Sequence, residues 1–205
     1  MKILGINGSH RTGKGTAGLL QIALDEAAAL GAEVQLVELS ELDIKFCTGC
    51  NRCMAKPECS IKDDDMTKLM DLMKEADGII VASPNYFADV TARTKNFMDR
   101  TRCMHMVANA LKGKVGGIIN STGLNNCGVE HAAATLERFF TIHEMWIVHP
   151  RPEGPVMGFG AVGSQWAGRE DGKIKWRRIS DDDVAIEYCK VLGKDMYEAC
   201  KKLCS

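Results

Sequence analysis

Along this chain, short unbroken apolar runs alternate with stripes of helical period, the pattern of a parallel sheet wound with helices. Apolar runs predict strands over 2–7, 33–39, 78–83, 115–120 and 145–149. The run at 78–83 has no polar interruption and ends at Pro84, as expected of a central strand buried on both faces. Between the first two runs, Leu19, Leu20, Ala23, Leu24, Ala27 and Leu30 share one face of a helix over 16–30, stopped by Gly31. Met66, Leu69, Met70 and Met73 stripe a second helix, opened by Asp63, Asp64 and Asp65. Further helices are predicted over 91–101 and 130–140. A last one follows Asp181, Asp182 and Asp183 and is striped by Val184, Tyr188, Val191, Leu192, Met196, Cys200 and Leu203. Five strands in this arrangement fit an α/β, flavodoxin-like doubly wound parallel sheet of order 2-1-3-4-5.

Residues 150–180 do not fit the rhythm. They contain six glycines and no helical stripe, and Asp171-Gly172 between 165–170 and 173–176 is a hairpin signal. A connection this long is rarely idle, so it reads as an arm or lid, with Phe159, Trp166 and Trp176 expected to bury against something.

Length and charge narrow the picture. The chain has 205 residues, enough for one well-buried core and short for two, so 1–205 is expected to be a single domain. Basic and acidic residues number 26 and 27, which disfavours a nucleic-acid partner. No apolar run reaches membrane-span length, and the first residues lack the apolar core of a signal peptide. An odd count of nine cysteines argues against a secreted disulfide framework, so a reducing cytoplasm is the expected address.

The cysteines carry the sharpest chemistry. Cys47, Cys50, Cys53 and Cys59 lie in a C-x2-C-x2-C-x5-C run within a loop over 43–62. Short spacers return each thiolate to the same side, as in iron–sulfur sites. Tetrahedral zinc and a metal-free Cys-rich loop stay open as alternatives. Cys103, Cys189, Cys200 and Cys204 fall at helical positions and read as buried thiols.

After the first strand, Asn7-Gly8-Ser9-His10-Arg11-Thr12-Gly13-Lys14-Gly15-Thr16 opens straight into a helix. Small residues there let backbone N–H groups converge on a phosphate at a helix N-terminus. Ser9, Arg11, Thr12, Gly15 and Thr16 are the candidate contacts. The same stretch satisfies G-x4-G-K, so a P-loop nucleotide kinase competes, although neither the third nor the fourth strand ends in the acidic residue such a kinase needs for Mg2+. Two more loops leave the carboxyl edge, where doubly wound sheets bind ligands. Ser83, Pro84, Asn85, Tyr86 and Phe87 form one, and Ser121, Thr122 and Gly123, running on through Asn125, Asn126 and Cys127 to Gly128, form the other. Their amides, backbone donors and aromatics suit the polar rim of a flat flavin ring.

These residues together resemble the iron–sulfur flavoproteins, a branch of the NADPH-dependent FMN reductase-like flavoproteins. The resemblance rests on Gly8-Ser9-His10-Arg11, the four-cysteine run, Asp63-Asp64-Asp65-Met66, Ala76-Asp77-Gly78-Ile79-Ile80-Val81, Ser83-Pro84-x-Tyr86 and Asp99-Arg100. It covers mainly the first half of the chain. It implies FMN in the three loops, a [4Fe–4S] cluster on Cys47, Cys50, Cys53 and Cys59, and assembly into homodimers or homotetramers. The expected activity is an FMN-dependent oxidoreductase exchanging electrons with a ferredoxin-type carrier. The alternative is a cluster-free NAD(P)H-dependent FMN or quinone reductase. Neither needs a catalytic residue beyond the cofactors.

Overall fold

The computed structural model describes residues 1–124, 127–154 and 160–204. Strands β1 (Lys2–Asn7), β2 (Glu33–Glu38), β3 (Gly78–Pro84), β4 (Val115–Thr122) and β5 (Trp146–Val148) pair in the order β2-β1-β3-β4-β5, all parallel. Every residue of β3 and β4 is buried, as expected at the centre of a sheet covered on both faces.

Alternation along the strands divides the core in two. Ile3, Ile80, Ala82 and Ile119 point to one face, under α1 (Gly15–Ala29) and α5 (Asp183–Leu203). Leu4, Ile6, Ile79, Val81 and Ile118 point to the other, under α2 (Met66–Glu75), α3 (Ala92–Arg100) and α4 (Val129–Ile142). Helices α1 and α5 approach closely at Gly193, where an added Cβ would stand 2.1 Å from the Ala23 carbonyl oxygen. Gly193→Ala is therefore expected to destabilise the protein by about 1–3 kcal/mol through overpacking, more than the helix propensity gained. A thermal melt checks this; a raised Tm would contradict the close approach.

The segment over 150–180 is more than an arm. Strand β6 (Ala161–Ser164) runs parallel to β4 and pairs with Ile119–Thr122, beyond the stretch Val115–Gly117 that β5 covers. Two short strands thus share one edge of β4. The predicted hairpin follows as β7 (Trp166–Glu170) and β8 (Lys173–Trp176), turning on Asp171 and Gly172 with φ of 49° and 76°. Its tryptophans depart from expectation. Trp166 is half-buried and Trp176 is 57% exposed, because the hairpin pairs them with each other rather than with the core. Phe159 lies outside the described residues.

Cys103, Cys189 and Cys200 are buried as expected, whereas Cys204 is exposed at the end of α5. Burial pushes the Cys189 thiol up to about 12, which makes it inert. Among the described residues no helix is long and apolar enough to cross a membrane.

Candidate functional site

The carboxyl edge of the sheet opens into a cleft of about 560 Å³. Three expected loops supply its walls: Arg11 and Thr16 from the first, Pro84, Asn85, Tyr86 and Phe87 from the second, and Ser121, Thr122 and Gly123 from the third. The Thr16 and Ser121 hydroxyls bond at 2.7 Å, tying the first loop to the third.

Helix α1 begins without a side-chain cap, so its first-turn N–H groups are left for an incoming ligand. That suits a phosphate, because the positive end of the helix dipole faces the same place. Asn85 contributes a second open valence. Its amide nitrogen donates to the Cys127 carbonyl at 2.8 Å, while its Oδ1 is buried and without a partner, ready to accept from a ring N–H.

The turn after β3 is strained. Phe87 and Ala88 both sit in the left-handed region, at φ 53° and 66°, inside a tight turn closed by Tyr86 and Asp89. Left-handed backbone costs a non-glycine residue about 1–3 kcal/mol and is typically stored at ligand sites. Here it throws Phe87 wholly into solvent and leaves Tyr86 beside His10, with ring centroids 5.5 Å apart.

Other expected contacts stand off the cleft wall. Ser9 is buried beneath its loop, where its hydroxyl accepts from the Arg11 amide at 3.0 Å. The Thr12 hydroxyl bonds Ser40 at 2.7 Å, toward β2. Ser83 is fully buried and donates to the Pro84 carbonyl, bracing the second loop from within. Gly15 packs under Ile179, and Gly128, at φ 85°, lies against Ala88 at the start of α4. Asn125 and Asn126 lie outside the described residues. Gln165 and Ile179 line the cleft but have no signature in the sequence. They arrive there because β6 delivers the chain to the end of β4, where the Gln165 amide donates to the Thr122 carbonyl at 2.9 Å.

A second centre lies at the cysteine loop. Cys47, Cys50, Cys53 and Cys59 surround one small cavity, together with Arg100, Arg102 and Cys103. Left-handed turns at Gly49 and Asn51, with φ of 67° and 59°, fold the C-x2-C-x2-C stretch back on itself. The loop is fastened at its base. Asp43 and Asp65 bond to each other through both backbones and the Asp65 carboxylate. Asp64, rather than the helix-capping Asp65, accepts from the Met66 amide, and also from the Lys45 amide.

Asp64 is further paired with the Arg100 guanidinium, and both side chains are completely buried. Burial pushes the Asp64 carboxyl up, but the hydrogen bonds from Arg100 and the Lys45 amide outweigh it and hold it below the usual carboxylate range. Arg100 Nε is buried with no partner, on a side chain that lines the cysteine cavity. A donor of this kind suits a site that collects negative charge on sulfur. At Cys50, a 3.0 Å hydrogen bond with the Ser60 hydroxyl holds the thiol below its ordinary range, favouring the thiolate that a metal centre requires. Among the described residues, no three Cys, His, Asp or Glu side chains converge closely enough to hold a single metal ion. A cluster holds its thiolates further apart, so the shared cavity is compatible with it.

Comparison with known proteins gives the family and the fold. The model of the NADPH-dependent FMN reductase family matches residues 1–151. An iron–sulfur flavoprotein of Archaeoglobus fulgidus is 34% identical over 198 residues, 97% of this chain and 94% of that protein. One from Methanocaldococcus jannaschii is 35% identical over 201 residues, 98% of each chain. In fold, the chain is similar to a flavodoxin from the domain Archaea, with a TM-score of 0.59 at 17% identity, covering 98% of this chain and 99% of that one. The G-x4-G-K stretch accordingly lies within the region matched by the FMN reductase family. The chain belongs to the iron–sulfur flavoproteins within the NADPH-dependent FMN reductase family, and it is an FMN-dependent oxidoreductase.

Proposed function

We propose that this protein carries electrons between a [4Fe–4S] cluster on Cys47, Cys50, Cys53 and Cys59 and FMN in the three-loop cleft, with a ferredoxin-type carrier or NAD(P)H as its redox partner. The observation that carries the reading is the single cavity shared by four thiols and an arginine with an open donor. When bound, flavin stores two electrons and releases them singly while a cluster exchanges one at a time, so the pair bridges one- and two-electron chemistry.

The chain's own residues prepare the sites. Arg11, Thr16 and the open turn of α1 hold the phosphate, with Ser9, Thr12 and Gly15 shaping that loop. Asn85, Ser121, Thr122 and Gly123 present polar groups to the ring, with Ser83, Pro84 and Gly128 bracing them, and Tyr86 and Phe87 frame its edge. We read residues 1–205 as one domain in which 150–180 serves as a wall of the cleft through Gln165 and Ile179. Exposed Phe46, Phe87 and Trp146 favour assembly into homodimers or homotetramers.

Anaerobic purification with iron, sulfide and flavin analysis tests the proposal. About four irons and four sulfides per chain are expected alongside FMN. Cys53→Ser should lower the iron at least several-fold and leave FMN binding in place. Flavin without iron in the wild-type protein would leave the cluster-free NAD(P)H-dependent reductase standing instead.

A further inference from the structure

Arg100 ends helix α3, lines the cysteine cavity and keeps its side chain wholly out of solvent. The five N–H bonds of a guanidinium are fixed in one plane, so those already engaged show where the rest point. Asp64 takes the end of the fork, accepting from Nη1 and, at 3.3 Å, from Nη2. The other Nη1 hydrogen goes to the Lys45 carbonyl at 2.6 Å. That leaves Nε–H, which has no partner, and the second hydrogen of Nη2. These two N–H bonds run parallel along the remaining edge of the guanidinium, an arrangement made for one anionic acceptor.

Cys59 occupies that edge. Burial disfavours the charge on Arg100, but Asp64 and then the Cys59 sulfur outweigh it, Cys59 both by proximity and by a side-chain hydrogen bond. With the end of the fork and the other Nη1 hydrogen taken, the open edge is what remains to meet this sulfur. Buried Cys103 stands beside Cys59 and Cys53, so the contact is weakly screened by water. Asp64 cancels most of the long-range charge of Arg100. What reaches Cys59 is directed N–H donation. Arg102 lines the same cavity differently: it is half-buried, and its guanidinium bonds Asn51 Oδ1 at 3.1 Å and Met54 Sδ at 3.3 Å.

An electron entering a thiolate-held cluster adds one negative charge that its sulfurs share, and hydrogen bonds to those sulfurs favour the reduced state. We propose that Arg100 is a positioning residue of the electron-transfer centre: oriented by Asp64, its open edge donates to the Cys59 sulfur and raises the reduction potential of the cluster. This rests on the reading that the four cysteines hold a [4Fe–4S] cluster, and it adds a reason for the buried Asp64–Arg100 pair to lie against that loop.

Anaerobic redox titration of the FMN-loaded protein with dithionite and mediators, read by the EPR signal of the reduced cluster, tests the assignment once iron and sulfide have been counted. Arg100→Lys keeps a cation and removes the fork. At a fixed potential its ratio of reduced to oxidised cluster should be about tenfold lower, equivalent to about 59 mV for one electron. That shift should persist from about 0.1 M to about 1 M salt, whereas any shift in Arg102→Gln should shrink as salt rises. A second arm needs no variant to fold. With guanidinium nitrogens isotopically labelled, hyperfine spectroscopy of the reduced wild-type protein should detect a nitrogen coupled to the cluster, lost in Arg100→Lys and kept in Arg102→Gln. Iron and sulfide present without that coupling, or an Arg100→Lys potential equal to that of wild type, would overturn the role of Arg100 and leave the cluster reading standing. Flavin without iron in the wild type would overturn both.

Discussion

Asp64→Ala is expected to cost about 3–5 kcal/mol of stability, the largest effect of any single substitution considered. The change strands the Arg100 guanidinium in a site where both side chains are fully buried. It also removes the acceptor for the Lys45 and Met66 amides, which fasten the cysteine loop to the start of α2. Arg100 would keep only its 2.6 Å bond to the Lys45 carbonyl among its strong contacts. Urea denaturation at fixed saturating FMN gives the number, since ligand concentration itself shifts apparent stability. A double replacement, Asp64→Leu with Arg100→Met, should lose less than either single change, because it leaves no unpaired charge. A loss below about 1 kcal/mol in Asp64→Ala would mean that the pair is solvated, contrary to its burial.

The second large effect is a dependence of stability on pH. His143 titrates at about 4 in the folded protein against 6.5 for an ordinary histidine, because burial disfavours its charged form and His105 adds to this. The unfolded chain therefore takes up a proton at higher pH than the folded one. The neutral-state contribution is fully present above about pH 6.5 and is lost as pH falls toward 4. Integrated over that window, the loss is roughly 3 kcal/mol. Carboxylates titrate over part of the same range, so the comparison that isolates His143 is the His143→Leu variant. Wild type should lose about 3 kcal/mol more than the variant between pH 6.5 and 4, with the two stability curves parallel above pH 7. Parallel curves throughout would show that His143 is solvated or paired.

Much of the fold was legible because burial writes itself into residue order. The all-apolar run over 78–83 marks a strand covered on both faces, and the methionine and leucine stripe over 66–73 marks a helix with one buried side. The cleft was legible for a related reason. A doubly wound sheet places the loops after β1, β3 and β4 at one edge, so residues more than a hundred positions apart, such as Thr16 and Ser121, end in contact.

Other features left no trace in the pattern. Strand β6 is Ala161-Val162-Gly163-Ser164, too short and too small to read as a strand. It forms because β4 extends past the end of β5 and offers unpaired backbone groups. Gln165 and Ile179 become cleft residues only as a result. Ser83 illustrates the converse. Its position in a cleft loop is plain from sequence, but its hydroxyl turns inward to the Pro84 carbonyl.

The order of residues alone determined the sheet, its flanking helices, the three-loop edge and the presence of four clustered thiols, because hydrophobic period and short cysteine spacing are local properties. Tertiary packing decided how β4's free edge was completed, which hydroxyls face the cleft, and that Asp64 and Arg100 are buried as a pair. It also left His143 Nδ1 bare. Those outcomes depend on which groups meet across the fold and lose water together, and no local pattern records that.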